Sequence, residues 1–247
     1  MSDRWQSPCG RMELRLGDFR EVLVDVQADH CITDPPYSAR THVGSDGLTS
    51  YDGSKRAALE YGGWNAGDVL RVVDAVRPSG WWVAITDHAL APTWERLWEA
   101  QDLYTFAPLP WVAVGSRVRL QGDGPSSWTC GVCVARPRER RMSMWGTLPG
   151  AYITSGQTRD AVVTGAKPLA LMRAIVRDYS RPGDLIVDPW AGGGTTLLAA
   201  AIEGRRAIGA ELDPNIYAKA VERLSRGYTP AMLTAEPVTG EQGGLEL

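Results

Sequence analysis

The sequence predicts an α/β domain built on a mostly parallel, doubly wound sheet, and three observations carry that prediction. Short apolar runs of strand length alternate with amphipathic runs at helical spacing. Three of the strand-like runs end in an acid, at Asp34, Asp188 and Glu211. One of them turns through Gly192, Gly193 and Gly194 directly into a helical run, "LIVDPWAGGGTTLLAA".

The elements follow in order. "RMELRLGDFREVLVDV" reads as a short strand ending at Gly17-Asp18, then a helix with Phe19, Val22, Leu23 and Val26 close to one face. "ADHCITDPPY" is a strand with an acid at its C-terminal end. Residues 38–65 are rich in Gly, Ser and Asp with weak periodicity, and a loop of that length in a compact domain is usually functional or mobile. "AGDVLRVVDAVRPSG" is a helix stopped by Pro78 and Gly80, "WWVAIT" a buried strand, and "APTWERLWEAQ" a helix with Pro92 in its first turn, leading to "LYTFAPLPWVAV". Residues 113–160 break the alternation, apart from a strand-like "WTCGVCVARP". Order resumes with a helix in "KPLALMRAIVRDYS", the strand, glycine turn and helix already quoted, a strand in "RAIGAEL" and a helix in "NIYAKAVERL". One domain over 1–228 is expected, with 229–247 a flexible tail.

Composition excludes some classes. The chain has 247 residues, is 44% hydrophobic and carries a net charge of −3, so a non-specific nucleic-acid coat is not expected. No apolar run approaches the roughly 20 residues that span a bilayer, and "MSDRWQSPCGRM" lacks a signal peptide's apolar stretch, so a cytoplasmic protein is expected, with no membrane partner. Cys130 and Cys133 have metal-ligand spacing, but no second pair accompanies them and they fall inside a strand. Reduced thiols and no metal are expected. One local basic cluster, Arg136, Arg138, Arg140 and Arg141, could meet a polyanion.

The glycine turn narrows the ligand. Glycines at such a bend let a ligand approach the backbone, and the helix start at Thr195 and Thr196 favours an anionic group nearby. A dinucleotide fingerprint counted from Gly192 needs glycine at 197, where Leu197 stands, and the Gly-Lys-Ser/Thr of a phosphate loop is absent. A nucleotide-type cofactor without a pyrophosphate remains. Glu211, ending the next strand, can accept from ribose hydroxyls, or it can cap the helix beginning near Asp213 and Pro214. In "DPPY", Pro35 and Pro36 lack backbone donors and hold the chain extended, which aims Asp34 and the Tyr37 ring outward.

"DPPY", "VDPWAGGGTTLLAA" and "KPLALMRAIVRDYSRPGDL" together resemble the S-adenosylmethionine-dependent DNA amino-methyltransferases that modify adenine or cytosine on the exocyclic nitrogen. The resemblance is to the permuted group, in which the catalytic motif precedes the cofactor motif. It covers residues 12–37 and 165–225 well, and the region between only loosely. Trp190 stands for the family's Phe and Gly193 for its Ser or Thr, changes that keep the turn and an aromatic wall. Some RNA and protein-glutamine methyltransferases carry similar tetrapeptides, but after the glycine turn.

The resemblance implies a Rossmann-like methyltransferase fold in circularly permuted order, with a small target-recognition insertion at 113–160 and a DNA-contacting loop at 38–65. It implies S-adenosyl-L-methionine as cofactor, held by Asp18, Lys167, Asp188, Trp190, Gly192, Gly194, Thr195, Thr196 and Glu211. Asp18 would meet the adenine amino group of the cofactor, and Lys167-Pro168 would lie beside its methionine end. Catalysis would fall to Asp34, Pro35, Pro36 and Tyr37: acceptors at Asp34 and the Pro35 carbonyl hold the target's amino hydrogens and favour tetrahedral nitrogen, while the Tyr37 ring stacks on a flipped-out base. Such stacking is worth about 1–3 kcal/mol per base. Double-stranded DNA is the implied partner, contacted by Arg40, His42 and the arginine cluster, and a homodimer and a companion restriction nuclease are compatible with the family. The implied setting is the cytoplasm of a bacterial or phage-infected cell. An acid opening the tetrapeptide favours adenine over cytosine. A catalytically idle cofactor-sensing DNA-binding protein and, more distantly, an oxidoreductase are the other classes.

Overall fold

A computed structural model describes residues 3–39, 41, 62–115, 128–139, 145–156, 162, 163 and 165–227. The strands are β1 (Arg4–Gln6), β2 (Met12–Leu16), β3 (His30–Thr33), β4 (Trp82–Thr86), β5 (Leu103–Val114), β6 (Thr129–Pro137), β7 (Tyr152–Ser155), β8 (Leu185–Asp188) and β9 (Arg206–Glu211). The helices are α1 (Phe19–Val22), α2 (Ala66–Ala75), α3 (Ala91–Ala100), α4 (Leu169–Tyr179), α5 (Thr195–Ile202) and α6 (Pro214–Ser225).

Among the described residues the strands form one sheet in the order β1-β2-β9-β8-β3-β4-β6-β5-β7. The two strands latest in the chain, β8 and β9, therefore insert between two of the earliest, β2 and β3. Strands β2, β9, β8, β3 and β4 run parallel, β1 is antiparallel at one edge, and β6 runs antiparallel between β4 and β5.

Period-2 alternation sends successive side chains to opposite faces. On β3 and β4, Ile32, Val83 and Ile85 join the core under α4, α5 and α6, whereas Cys31, Trp82 and Ala84 join the core under α1, α2 and α3. The same alternation separates Cys130 from Cys133: Cys130 packs against the first core and Cys133 lies in the second, so the pair cannot share a metal ion. All four cysteines are free, and no metal-binding cluster exists among the described residues. Trp81, Trp82, Trp94, Trp98 and Trp111 are buried, as expected of core residues. No helix among the described residues is long and apolar enough to cross a membrane.

Two sequence expectations change. The helix after Asp18 is a single turn, and only Phe19 in it is buried, so the face drawn through Val26 does not form. Parts of 113–160 are not an insertion: β6 is an interior strand with Val132, Cys133, Val134 and Ala135 all buried, and β7 pairs with β5 at the sheet edge. The strand itself was expected from "WTCGVCVARP", but its antiparallel run hides its interior place from an argument based on strand and helix alternation. Residues 116–127 and 140–144 lie outside the described set, as does the tail from 228.

Candidate functional site

The parallel strands β9, β8, β3 and β4 all end on one edge of the sheet, and each is followed by or ends in an acid: Glu211, Asp188, Asp34 and Asp87. β8 continues leftward to β9 through α5, while β3 continues rightward to β4. The gap between β8 and β3 is therefore a topological switch point, where open α/β sheets bind ligands beyond the C-terminal strand ends. A cavity of about 730 Å³ opens there, a size typical of small-molecule sites. Asp34 and Pro36 line it from one side, Trp190, Gly192 and Glu211 from the other, and Lys167 joins them.

Asp188 holds the two halves together. It is buried, and its Oδ1 accepts from Thr33 Oγ1 on β3 at 2.7 Å and from the Trp190 N–H at 3.1 Å. Burial pushes its pKa up to about 6, against the hydrogen bonds that favour the charged form. The turn that follows needs left-handed backbone at Gly192 (φ 50°) and Gly194 (φ 76°), which side-chain-bearing residues rarely adopt. A side chain at Gly193 would come within 2.9 Å of Val162. Arg223 of α6, a buried cation, donates to the Gly193 carbonyl at 2.7 Å and Thr195 Oγ1 at 2.8 Å, fixing the turn from behind. Trp190 shows the cavity one part of its ring and packs the rest on Phe19 and Trp64, with centroids 4.4 and 4.6 Å away.

The helix cap that the sequence left open falls to Asp213. Asp213 caps α6 by accepting from Asn215 and Ile216 N–H, while Glu211 Oε1 accepts the Asp213 N–H at 2.8 Å and the residue lines the cavity. Burial raises its pKa.

On the other side β3 stops at Thr33, because Pro35 and Pro36 have no N–H to continue a ladder. Asp34 follows with its side chain only 20% exposed. Lys167 Nζ donates to its Oδ2 at 2.6 Å, while its Oδ1 is buried without a hydrogen-bond partner among the described residues. Burial pushes the Asp34 pKa up, and the Lys167 ammonium opposes that.

Of the expected site residues, Asp34, Pro36, Lys167, Asp188, Trp190, Gly192, Thr195, Thr196 and Glu211 line the cavity. Pro35, Tyr37 and Gly194 adjoin it through their neighbours in sequence, and the Tyr37 ring lies 4.8 Å beneath Lys167 Nζ. Asp18 does not reach it: the carboxylate caps α1 and both its oxygens bond the Arg20 guanidinium, so it is already committed. Lys167, expected at the cofactor's methionine end, lines the cavity and also contacts Asp34.

Arg136 and Arg138 are misplaced for a site-edge DNA contact. Because β6 runs against β4, pairing Gly131 with Thr86 and Ala135 with Trp82, its C-terminal end lies at the opposite edge of the sheet. Arg136 there stacks on Tyr104 and Arg138 pairs with Asp102 at 3.0 Å. Arg40, His42, Arg140 and Arg141 lie outside the described residues.

Sequence reasoning missed Arg223, Lys219 of the cavity wall, and Asp87. Asp87 is buried and accepts from the Ser38 N–H at 3.0 Å, from the Ser38 and Thr41 hydroxyls at 2.5 Å each, and from the Ala89 and Leu90 N–H groups. It thereby pins the residues that leave the catalytic motif. A signal was present: "ITD" ends β3 at 32–34 and recurs at 85–87 at the end of β4.

Residues 134–222 match the DNA methylase family of N6/N4 type. The Type II methyltransferase M.MthZI of Methanothermobacter thermautotrophicus is 48% identical over 72 residues, 29% of this chain and 20% of that one. The DNA adenine methyltransferase YhdJ of Escherichia coli is 40% identical over 58 residues, 24% of this chain and 20% of that one. The matches thus span about a fifth of these relatives' length. A crystal structure of an M1.HpyAVI–SAM complex superposes with a TM-score of 0.66 at 20% identity, covering 86% of this chain and 98% of that one. The matched segment is similar to DNA methylases of the N6/N4 type, and the superposition shows that the chain shares the fold of the M1.HpyAVI structure.

Proposed function

We propose that this chain transfers a methyl group from S-adenosyl-L-methionine to the exocyclic amino group of a flipped-out adenine in double-stranded DNA. The observation that carries the proposal is the meeting, in one cavity, of Asp34 at the end of β3 with the glycine turn of β8 and Glu211 of β9.

The residues present fit the cofactor. Gly192 and Gly193 line the cavity with bare backbone, Trp190 offers a flat apolar wall, and Glu211 has a second carboxylate oxygen for ribose hydroxyls beside the one bonded to Asp213. When bound, S-adenosylmethionine supplies an electrophilic methyl on a sulfonium. The chain supplies the rest. The Asp34 carboxylate and the Pro35 carbonyl accept the two amino hydrogens, which favours a tetrahedral nitrogen with an available lone pair. The rigid Pro35-Pro36 backbone keeps that nitrogen in line, and alignment of two reactants is where most of the rate comes from. The methylated nitrogen is acidic, and its proton passes to Asp34 or to water. Tyr37 is the stacking surface for the extruded base.

Two points favour adenine over cytosine: the acid that opens the tetrapeptide, and YhdJ, which is named an adenine enzyme. DNA contacts are proposed for the 38–65 segment, since Asp87 holds its first residues at the site edge. Nucleoside mass spectrometry of DNA incubated with the chain and labelled S-adenosylmethionine tests the reading. N6-methyladenine is the expected product. N4-methylcytosine alone would reassign the base, and no methylated nucleoside would leave the idle, cofactor-sensing alternative.

A further inference from the structure

The two oxygens of Asp34 have different surroundings. Oδ2 receives the Lys167 ammonium at 2.6 Å, whereas Oδ1 is buried with no hydrogen bond of regular geometry among the described residues, and the Tyr37 hydroxyl is the other group that favours the charged carboxyl. Lys167 is itself held: its side chain is 10% exposed, its Nζ also donates to the Gly165 carbonyl at 3.2 Å, and it lies 4.8 Å over the Tyr37 ring and 6.0 Å over the Trp111 ring. The next residue, Pro168, is buried and leads directly into α4, whose Leu171, Met172, Ala174 and Ile175 are core residues. The ammonium is therefore placed by the rigid part of the fold.

We propose that Lys167 is a positioning residue for methyl transfer: by holding Asp34 Oδ2 it fixes the orientation in which the carboxylate meets the target's amino group. The inference rests on reading Asp34 as the amino clamp. A carboxylate without this contact can turn about its last bond and exchange its oxygens, whereas a strong charge-assisted bond to one oxygen removes that freedom. The contact also serves the charge. Burial drives Asp34 toward its protonated form, and a protonated acid would offer a donor where the amino group needs an acceptor. The other titratable groups around it are Asp188 on β8, Cys130 on β6 and Tyr37, with Asp87 further off, and none of these is a cation. The favourable charge comes from Lys167.

The test uses the full chain with Lys167→Met and Lys167→Arg. Readouts are cofactor affinity by calorimetry, the single-turnover rate against pH at saturating cofactor and DNA, and the infrared band of a protonated carboxyl. For Lys167→Met, cofactor affinity should stay within threefold and the rate at pH 7 should fall at least a hundredfold. That rate should then climb about tenfold per pH unit toward alkaline pH. A protonated carboxyl band should appear at pH 7 and vanish in the Lys167→Met, Asp34→Asn double variant. Lys167→Arg should keep the wild-type pH profile and lose less than tenfold in rate. If Lys167→Met does not fold, Lys167→Gln carries the same expectations. A wild-type pH profile without the infrared band would overturn the proposal, as would a cofactor affinity weakened more than tenfold with a normal saturated rate, which would return Lys167 to the cofactor. The infrared band reports on Asp34 even in a chain that methylates nothing, so failure of the functional reading is separately visible.

Discussion

The two edges of the sheet carry opposite chemistry. At the C-terminal ends of the parallel strands stand Asp34, Asp87, Asp188 and Glu211, each largely buried and each hydrogen-bonded to backbone or side-chain groups that define a cavity or a turn. At the other edge stand Arg136, Arg138 and Arg181, stacked on Tyr104, Phe106 and Trp145. In sequence the arginines form the more conspicuous cluster. In space the acids converge, although they are scattered from residue 34 to residue 211. Parallel strands bring their ends together however far apart they lie in the chain, while a single antiparallel strand carries a local cluster to the far side.

Within the acidic edge the largest effects should separate Asp34 from Glu211. Asp34→Ala should reduce the single-turnover rate by about a thousandfold or more, because its hydrogen bonds matter where the nitrogen becomes tetrahedral. Cofactor affinity should remain within a few fold. Glu211→Ala should do the reverse, raising the cofactor dissociation constant by about 10- to 100-fold, since hydrogen bonds to a charged acceptor are worth about 1.5–3 kcal/mol each. Calorimetry and a single-turnover assay on both variants give the comparison. Poor cofactor binding by Asp34→Ala would erase the division between the two sides of the cavity.

The half of the site built from β8 and β9 was legible because it is local: strand, glycine turn and helix are contiguous, and the acid ending each strand can be read directly. The permuted arrangement was implied by the resemblance, in which the catalytic motif precedes the cofactor motif, while the full strand order was not. What escaped depends on tertiary placement. Asp18 stands just past β2 and pairs with Arg20 two residues away, a contact that the strand and helix pattern does not announce. Lys167 was read by its neighbour Pro168 as part of the cofactor site, yet the Asp34 contact spans 133 positions and has no local signature. β6 was legible as a strand, but it runs antiparallel inside a sheet predicted from parallel units, so its interior place between β4 and β5 was not.

Asp87 and Asp188 sharpen the comparison within one edge, because burial acts on both and only one is well enough bonded to overcome it. Asp87→Ala leaves the Ser38 and Leu90 N–H groups without their acceptor and should cost about 2–4 kcal/mol in urea unfolding, given about 1–3 kcal/mol per orphaned buried group. The two acids should also differ in sign with pH. Burial raises the Asp87 pKa, but the Ser38 and Thr41 donors outweigh it and the net value is lowered. Its contribution is therefore present above the unfolded carboxylate range and lost as pH falls below it. The Asp188 pKa is raised to about 6, so its contribution is present below about pH 4 and lost as pH rises through 6. Relative to Asp188→Asn, the wild type should lose up to about 3 kcal/mol between pH 4 and pH 7. Unfolding curves across that window check it, and a constant difference would mean that Asp188 does not titrate there.

The smallest expected effect tests the far edge. Each phosphate contact releases counterions, so removing one lowers the salt dependence of DNA binding by about one slope unit. Arg136 already lies over the Tyr104 and Phe106 rings and Arg138 already pairs with Asp102, at the edge away from Asp34. Neutralising both as Arg136→Gln and Arg138→Gln should therefore leave the slope within experimental error and the single-turnover rate unchanged. Arg117 and Arg119 offer the contrast. β5 ends at Val114 and β6 begins at Thr129, and Val112 pairs with Thr129, so both of these strand ends lie at the acidic edge. Substituting Arg117 and Arg119 with Gln should flatten the slope by up to about two units. A flattened slope from the Arg136 and Arg138 pair, with none from Arg117 and Arg119, would mean that DNA approaches the far edge and that the division between the two edges is wrong.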